Sequence, residues 1–193
     1  MTRELLILRH GKSSWDDPLL GDYERPLKKR GRRDATNIGH YLLDEHWIPD
    51  MVFSSTAMRA AMTTKRVCRA MDYPYGDVIW KKKLYFADTD YMIRLIQKAT
   101  PALQRLMLVG HNPDLEDLTR FLCAQEPPTP PDGKLIPTAT LVRLSIQTPW
   151  KKVAPGCATL LSITRPRTLL PAHPPMLEGK RVADDARRGS ISR

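Results

Sequence analysis

The sequence predicts an α/β fold, a three-layer α/β/α arrangement around a mainly parallel central sheet. Three observations predict it. Leu5-Leu6-Ile7-Leu8 and Leu106-Met107-Leu108-Val109 are short, uninterrupted apolar runs that stop at glycine-containing turns, the pattern of strands buried on both faces of a parallel sheet. Segments of helical period separate the apolar runs, and parallel neighbours need such crossovers. The chain has 193 residues, 41% of them hydrophobic and 27% charged, which suits one domain with a substantial core.

The first strand, residues 5–8, ends in Arg9-His10-Gly11. Open α/β sheets bind ligands just beyond the carboxyl ends of their strands, so Arg9 and His10 stand where chemistry is expected. Gly11 is read as a sharp turn that leaves room for a ligand. On these three residues alone, two readings stay open. Arg9 and His10 cap a strand, or His10 is a nucleophile beside a fixed cation, facing an anion such as phosphate. Residues 16–25 are polar and form a loop over that strand end. A helix is predicted from Pro26 to His46, with proline at its first position and Ala35, Ile38, Tyr41 and Leu42 inward; His40 and His46 are read as structural or solvent-facing.

Residues 49–53 form the second strand. The hydroxyls of Ser54-Ser55-Thr56 then suit the N-cap of a helix over 57–71. Its core face is Ala57, Ala60/Ala61, Thr64, Val67/Cys68 and Met71. Arg59 falls off that face, in a first turn whose dipole and free N–H groups favour an anion. Val78-Ile79-Trp80 makes a short strand, and a helix follows from Thr89 to Lys98 with Asp88 as its N-cap; Pro101 breaks it. The strand at 106–109 ends in Gly110-His111-Asn112-Pro113, so an apolar run again gives way to histidine beside glycine. A helix then runs through Cys123 with Leu115, Leu118, Phe121 and Leu122 inward. Residues 125–136 are a proline-rich loop, and 140–146 and 158–164 pair as a hairpin-like return. The domain is read as 1–168. Residues 169–193, basic and proline-containing with little apolar content, are read as a disordered tail.

Three strand ends thus deliver Arg9 and His10, then Ser54 to Arg59, then His111. Their convergence on one sheet edge moves the reading from capping to function. Net charge is +10, but the Lys28–Arg33 basic run has no aromatic interleaving or nucleic-acid motif. It is read as a solvated helix end, and the positive surface as an aid to recruiting an anionic substrate. No apolar run is long enough to cross a bilayer and no signal peptide is visible, so the expected location is cytoplasmic. Cys68, Cys123 and Cys157 lack zinc or disulfide spacing. No carboxylate cluster suits magnesium, and neither metal nor cofactor is expected.

Arg9-His10-Gly11, with Ser13 and Trp15 following, resembles the Arg-His-Gly signature of the histidine phosphatase superfamily. Phe53-Ser54-Ser55-Thr56-Ala57-Met58-Arg59-Ala60 resembles that family's second arginine segment, and Val109-Gly110-His111-Asn112-Pro113 its second histidine segment. The likeness extends to Asp22–Arg33 and Thr164-Arg165-Pro166-Arg167 and covers about residues 3–168. The short connection between Arg59 and His111 leaves no room for a large inserted subdomain, so the pattern is most similar to the small SixA-type phosphohistidine phosphatases. The resemblance implies a phosphoglycerate mutase-like fold and a covalent mechanism. His10 attacks phosphorus and water hydrolyses the resulting phosphohistidine. Arg9 and Arg59 grip the non-bridging oxygens, His111 adds a donor, and Ser13 and Asn112 contribute to substrate binding.

Two departures bear on the substrate. Relatives acting on phosphate esters carry a glutamate proton donor after the third strand, where this chain has Phe86; Asp88 and Asp90 are the candidate acids, with helix capping as the rival role of Asp88. An alkoxide needs an acid to leave, whereas imidazole, with a pKa of about 6.5, needs far less help. This favours phosphohistidine in a protein, with a small-molecule phosphomonoesterase or pyrophosphatase as the alternative. The second departure is Asp16, where relatives often have asparagine. Its carboxylate would repel phosphate unless turned away, toward Arg25 or Lys12, and no binding role is carried onto it. A catalytically dead phosphoprotein-binding module is disfavoured by the intact Arg9, His10, Arg59 and His111. The expected partner is a phosphorylated protein or a small phosphorylated substrate, with neither membrane nor nucleic acid.

Overall fold

The computed structural model describes residues 2–169; the predicted tail lies, from residue 170 on, outside them. Six strands form one sheet in the order β3-β2-β4-β1-β5-β6. They are β1 (Arg3–Arg9), β2 (Met51–Ser54), β3 (Ile79–Trp80), β4 (Arg105–Gly110), β5 (Leu141–Ile146) and β6 (Ala158–Thr164). The first four run parallel, and β5 and β6 are antiparallel additions on one side. Helices α1 (Lys29–Asp44), α2 (Met58–Ala70), α3 (Thr89–Gln97) and α4 (Asp114–Leu122) fill the intervals.

The apolar runs work as their composition requires. Leu5, Leu6, Ile7 and Leu8 are all 0% exposed, each burial stabilising by roughly 1.5–3 kcal/mol. Side chains alternate across a strand. Leu6, Leu8, Val52, Met107 and Val109 therefore face one way, onto Ile38 and Leu42 of α1 and Val67 and Cys68 of α2. Leu5, Ile7, Phe53, Leu106 and Leu108 face the other, onto Met92 and Ile96 of α3 and Leu115, Leu118 and Leu122 of α4. Phe121, expected to point inward, is 38% exposed.

Register brings the strand ends level. Leu8 pairs with Val109, and Val109 with Ser54. The ladder continues one residue further, with the His10 amide donating to the Gly110 carbonyl (3.1 Å) and the Ser55 amide to that of Val109 (3.0 Å). His10, Ser55 and His111 therefore leave adjacent strands at one edge.

Two local expectations fail there for a shared reason. The first long helix begins at Lys29 rather than Pro26. Residues 26–28 are extended because they pair with the segment after β1: the Ser14 amide donates to the Pro26 carbonyl and that of Lys28 to the Lys12 carbonyl, both at 2.8 Å. Gly11 has no left-handed backbone, and the space beside it is not open. A Cβ there would stand 2.7 Å from the Gly31 carbonyl oxygen, and one on Gly31 would overlap the Lys12 backbone. The two glycines let the start of α1 pack backbone to backbone against the loop that carries His10. In α2 the N-cap is Ala57, without a side-chain cap; of the three hydroxyls before it, that of Ser54 bonds Thr64, that of Ser55 lies against His111 and that of Thr56 bonds Tyr23.

Candidate active site

His10 is 7% exposed and its protonation pattern can be read from its neighbours. Nδ1 lies 2.7 Å from the Gly11 carbonyl oxygen. A carbonyl only accepts, so Nδ1 carries the proton. Nε2, at 3.2 Å, accepts from Nε of Arg59 and so keeps its lone pair. Burial, then the neighbouring His111 and the two arginines, hold the His10 pKa well below 6.5 against the favourable Gly11 carbonyl. The ring is thus neutral and oriented. Gly11 is pinned in turn, its amide donating to Thr63 Oγ1 at 2.9 Å, while that hydroxyl donates to the Arg59 carbonyl at 2.7 Å. One turn of α2 therefore fixes both the His10 loop and Arg59.

Arg59 was placed off the core face of α2, yet it is 7% exposed. Apolar periodicity does not register a cation that is buried among polar groups. Its Nη1 donates to the Asp22 carbonyl and its Nη2 to Asp22 Oδ2 at 2.9 Å. Asp22 also accepts from Arg25 Nη1 at 2.5 Å and from the Tyr85 hydroxyl at 2.6 Å. Burial pushes the Asp22 carboxyl upward, but Tyr85, Arg25 and Arg59 outweigh it and bring the pKa down to about 2. Asp22 and Tyr85 escaped the sequence reading. The only local signal was the opposite charges of Asp22 and Arg25 three residues apart; the contacts to Arg59 and Tyr85 span 37 and 63 residues.

His111 is 4% exposed. Its ring stands 5.0 Å from that of His10, centroid to centroid, and 5.3 Å edge-on to that of Tyr85. Burial first, then Arg59 and Arg9, bring its pKa down to about 3 despite Asp22. Its Nε2 lies 2.9 Å from Ser55 Oγ, and Nδ1 is buried without a partner among the described residues. Arg9 donates from Nη1 to the Ile136 carbonyl at 2.7 Å, and its Nε is likewise buried and unpaired. Two guanidinium groups and two neutral imidazoles thus border one sheet edge, with Arg9 Nε and His111 Nδ1 unpaired among the described residues, an arrangement suited to a compact oxyanion.

The remaining sequence-derived residues divide. Ser13, 5% exposed, accepts from Arg25 Nη2 at 2.6 Å, and its own hydroxyl hydrogen stays available. Asn112 is not free to donate: Nδ2 is spent on Glu116 Oε1 (2.5 Å) and the Ile136 carbonyl (3.0 Å). Only its carbonyl oxygen is left, and that would repel an oxyanion. Its place is structural, fastening the end of the proline-rich loop beside Arg9. Asp88 accepts from the Tyr91 amide at 2.6 Å through Oδ1 as the N-cap of α3. Phe86 is 81% exposed. Asp16 turns neither to Arg25 nor to Lys12 but to Lys28, 2.8 Å away at the surface. Among the described residues no group of three or more His, Cys, Asp or Glu side chains could hold a metal ion, and no described helix is long and apolar enough to cross a membrane.

Comparison with known proteins agrees with this geometry. The family model for the histidine phosphatase superfamily (branch 1) matches residues 5–80. An uncharacterized chloroplastic protein of Arabidopsis thaliana is 32% identical over 130 residues, 63% of this chain and 60% of that one, so the chain spans less than two thirds of that relative. An uncharacterized protein of Mycobacterium tuberculosis is 30% identical over 164 residues, 83% of this chain and 100% of that one. Among solved structures, the protein histidine phosphatase SixA complexed with tungstate superposes with a TM-score of 0.74 at 20% identity, covering 86% of this chain and 99% of that one. At that identity the likeness speaks for the fold.

Proposed function

Given that the chain belongs to the histidine phosphatase superfamily and is a hydrolase of that family, we propose that it removes the phosphoryl group from phosphohistidine in a protein, by way of a phosphohistidine on its own His10. In the first step the Nε2 lone pair of His10 forms a bond to phosphorus as the bond from phosphorus to the substrate imidazole breaks. The electron pair leaves on that imidazole nitrogen, and the substrate ring, already protonated on its other nitrogen, departs as neutral imidazole. In the second step a water oxygen attacks phosphorus and gives up a proton to solvent, the bond to His10 breaks with its electron pair returning to Nε2, and phosphate departs. Arg9 and Arg59 hold the non-bridging oxygens, each charge-assisted bond contributing roughly 1.5–3 kcal/mol.

The choice of substrate rests on one observation: the segment that would hold a proton donor does not offer one. Phe86 points outward, Asp88 caps α3 through Oδ1, and Asp90 is exposed in the first turn of that helix. Asp22, with a pKa of about 2, is ionised at neutral pH. A substrate imidazole protonated on its other ring nitrogen leaves as the neutral ring without an acid from the protein, whereas an alkoxide needs one. A second reading, a small-molecule phosphomonoesterase or pyrophosphatase, draws on Asp114. Burial pushes that carboxyl upward, and it accepts from the Ala87 amide, beside the segment in question. The test compares a histidine-phosphorylated protein with phosphoserine and sugar phosphates. Faster turnover of the phosphorylated histidine protein is expected; esters cleaved faster, with Asp114→Asn abolishing that activity, would overturn the reading.

A further inference from the structure

We infer that Ser55 is a positioning residue: its hydroxyl fixes His111 in the tautomer that carries its proton on Nδ1 and so makes that nitrogen the donor to the phosphoryl group. The inference rests on the reading above that His111 meets the substrate. It starts from a count of hydrogens. A buried imidazole with a strongly depressed pKa has one N–H, so the nitrogen that holds it decides whether the ring meets an oxyanion with a donor or with a lone pair.

Ser55 is 0% exposed. Its Oγ accepts from the Ala57 amide at 3.3 Å and lies 2.9 Å from His111 Nε2. Among the described residues these are its hydrogen-bond partners, and an amide takes no hydrogen. The serine hydrogen therefore has one place to go, the Nε2 lone pair. In the opposite tautomer Nε2–H would donate to Oγ, leaving the serine hydrogen buried without an acceptor. Nδ1 is buried and, among the described residues, unpaired in either tautomer. With Nε2 occupied by Ser55, Nδ1 is the nitrogen left to face phosphate. The Ser55 amide is held by the Val109 carbonyl at 3.0 Å, so sheet register sets the hydroxyl and the hydroxyl sets the ring.

The experiment reads the tautomer directly. Imidazole 15N spectra of the full chain near neutral pH, with His111 assigned by comparison with His111→Gln, are expected to show a protonated Nδ1 and an unprotonated Nε2. Ser55→Ala should shift His111 toward the other tautomer, and Ser55→Thr, which keeps the hydroxyl, should restore it. With a histidine-phosphorylated protein as substrate, Ser55→Ala should lower kcat on the order of tenfold with little change in KM, and Ser55→Thr should recover most of it. A protonated Nε2 in the unaltered protein, or a Ser55→Ala spectrum with His111 unchanged, overturns the inference. If the spectra follow expectation but no phosphohistidine is hydrolysed by any form, the proposed substrate fails and the tautomer assignment stands.

Discussion

Replacing Thr63 with valine removes one hydroxyl and almost no volume. In the native protein that oxygen accepts from the Gly11 amide at 2.9 Å and donates to the Arg59 carbonyl at 2.7 Å. The Arg59 carbonyl loses little, since a helical acceptor keeps its backbone partner. The Gly11 amide loses its partner, and both Gly11 and Thr63 are buried. An orphaned buried donor costs about 1–3 kcal/mol, and in a chain of this size 1 kcal/mol moves Tm by roughly 2–4 °C. The expected loss is therefore about 2–12 °C. A fall in kcat should accompany it, because the Gly11 carbonyl that orients His10 belongs to the same residue whose amide has come loose. Thr63→Ser, which keeps the oxygen, should lose much less of either. Thermal unfolding and turnover of a histidine-phosphorylated protein measure the two effects. A valine variant with unchanged Tm would refute the argument that Thr63 is what satisfies Gly11.

Further outcomes follow from the same contacts. Both site histidines have folded pKa values below the 6.5 of a free imidazole, His111 at about 3. Between those values the unfolded chain binds more protons than the folded one, so stability should rise with pH from about 3 to 6.5 and lose this dependence above it; denaturant titrations of wild type and His111→Gln across that window test it. For the same reason kcat/KM of the free enzyme should not fall with an apparent pKa near 6.5, and a pH–rate profile showing that limb would contradict a neutral His10. Gly31→Ala puts a methyl group into the Lys12 backbone and should destabilise by about 1–3 kcal/mol, the range for overpacking. Chemical denaturation of that variant gives the value, and an unchanged midpoint would remove the close approach of α1 to the His10 loop.

The parts of the molecule legible in the sequence are those whose physics is local or strictly periodic. Four consecutive apolar residues before a glycine-containing turn suit a strand covered on both sides, and 5–8 and 106–109 form such strands. Asp88 as the cap of α3 was readable because a carboxylate three residues before the amide it accepts from is a local device. Pro26 misled, since its preference for a first helical turn is weaker than the pairing of residues 26–28 with the segment after β1. Arg59 misled in another way: hydrophobic periodicity marks where apolar side chains go, and this guanidinium is buried because Asp22 and His10 surround it. Ser55, Thr63 and Tyr85 act through partners 52 to 63 residues away, and no local pattern announces such a contact. Asn112 sits in the expected segment, but its amide hydrogens are spent on Glu116 and Ile136, which only coordinates could reveal.

The most direct measurement is to mix the enzyme with a protein phosphorylated on histidine, quench within the first turnovers at alkaline pH, and map the phosphate by mass spectrometry. Acid-labile phosphate is expected on His10, absent from a folded His10→Ala variant that also fails to turn over. Turnover that persists without His10, or phosphate that appears on another side chain, would contradict that expectation.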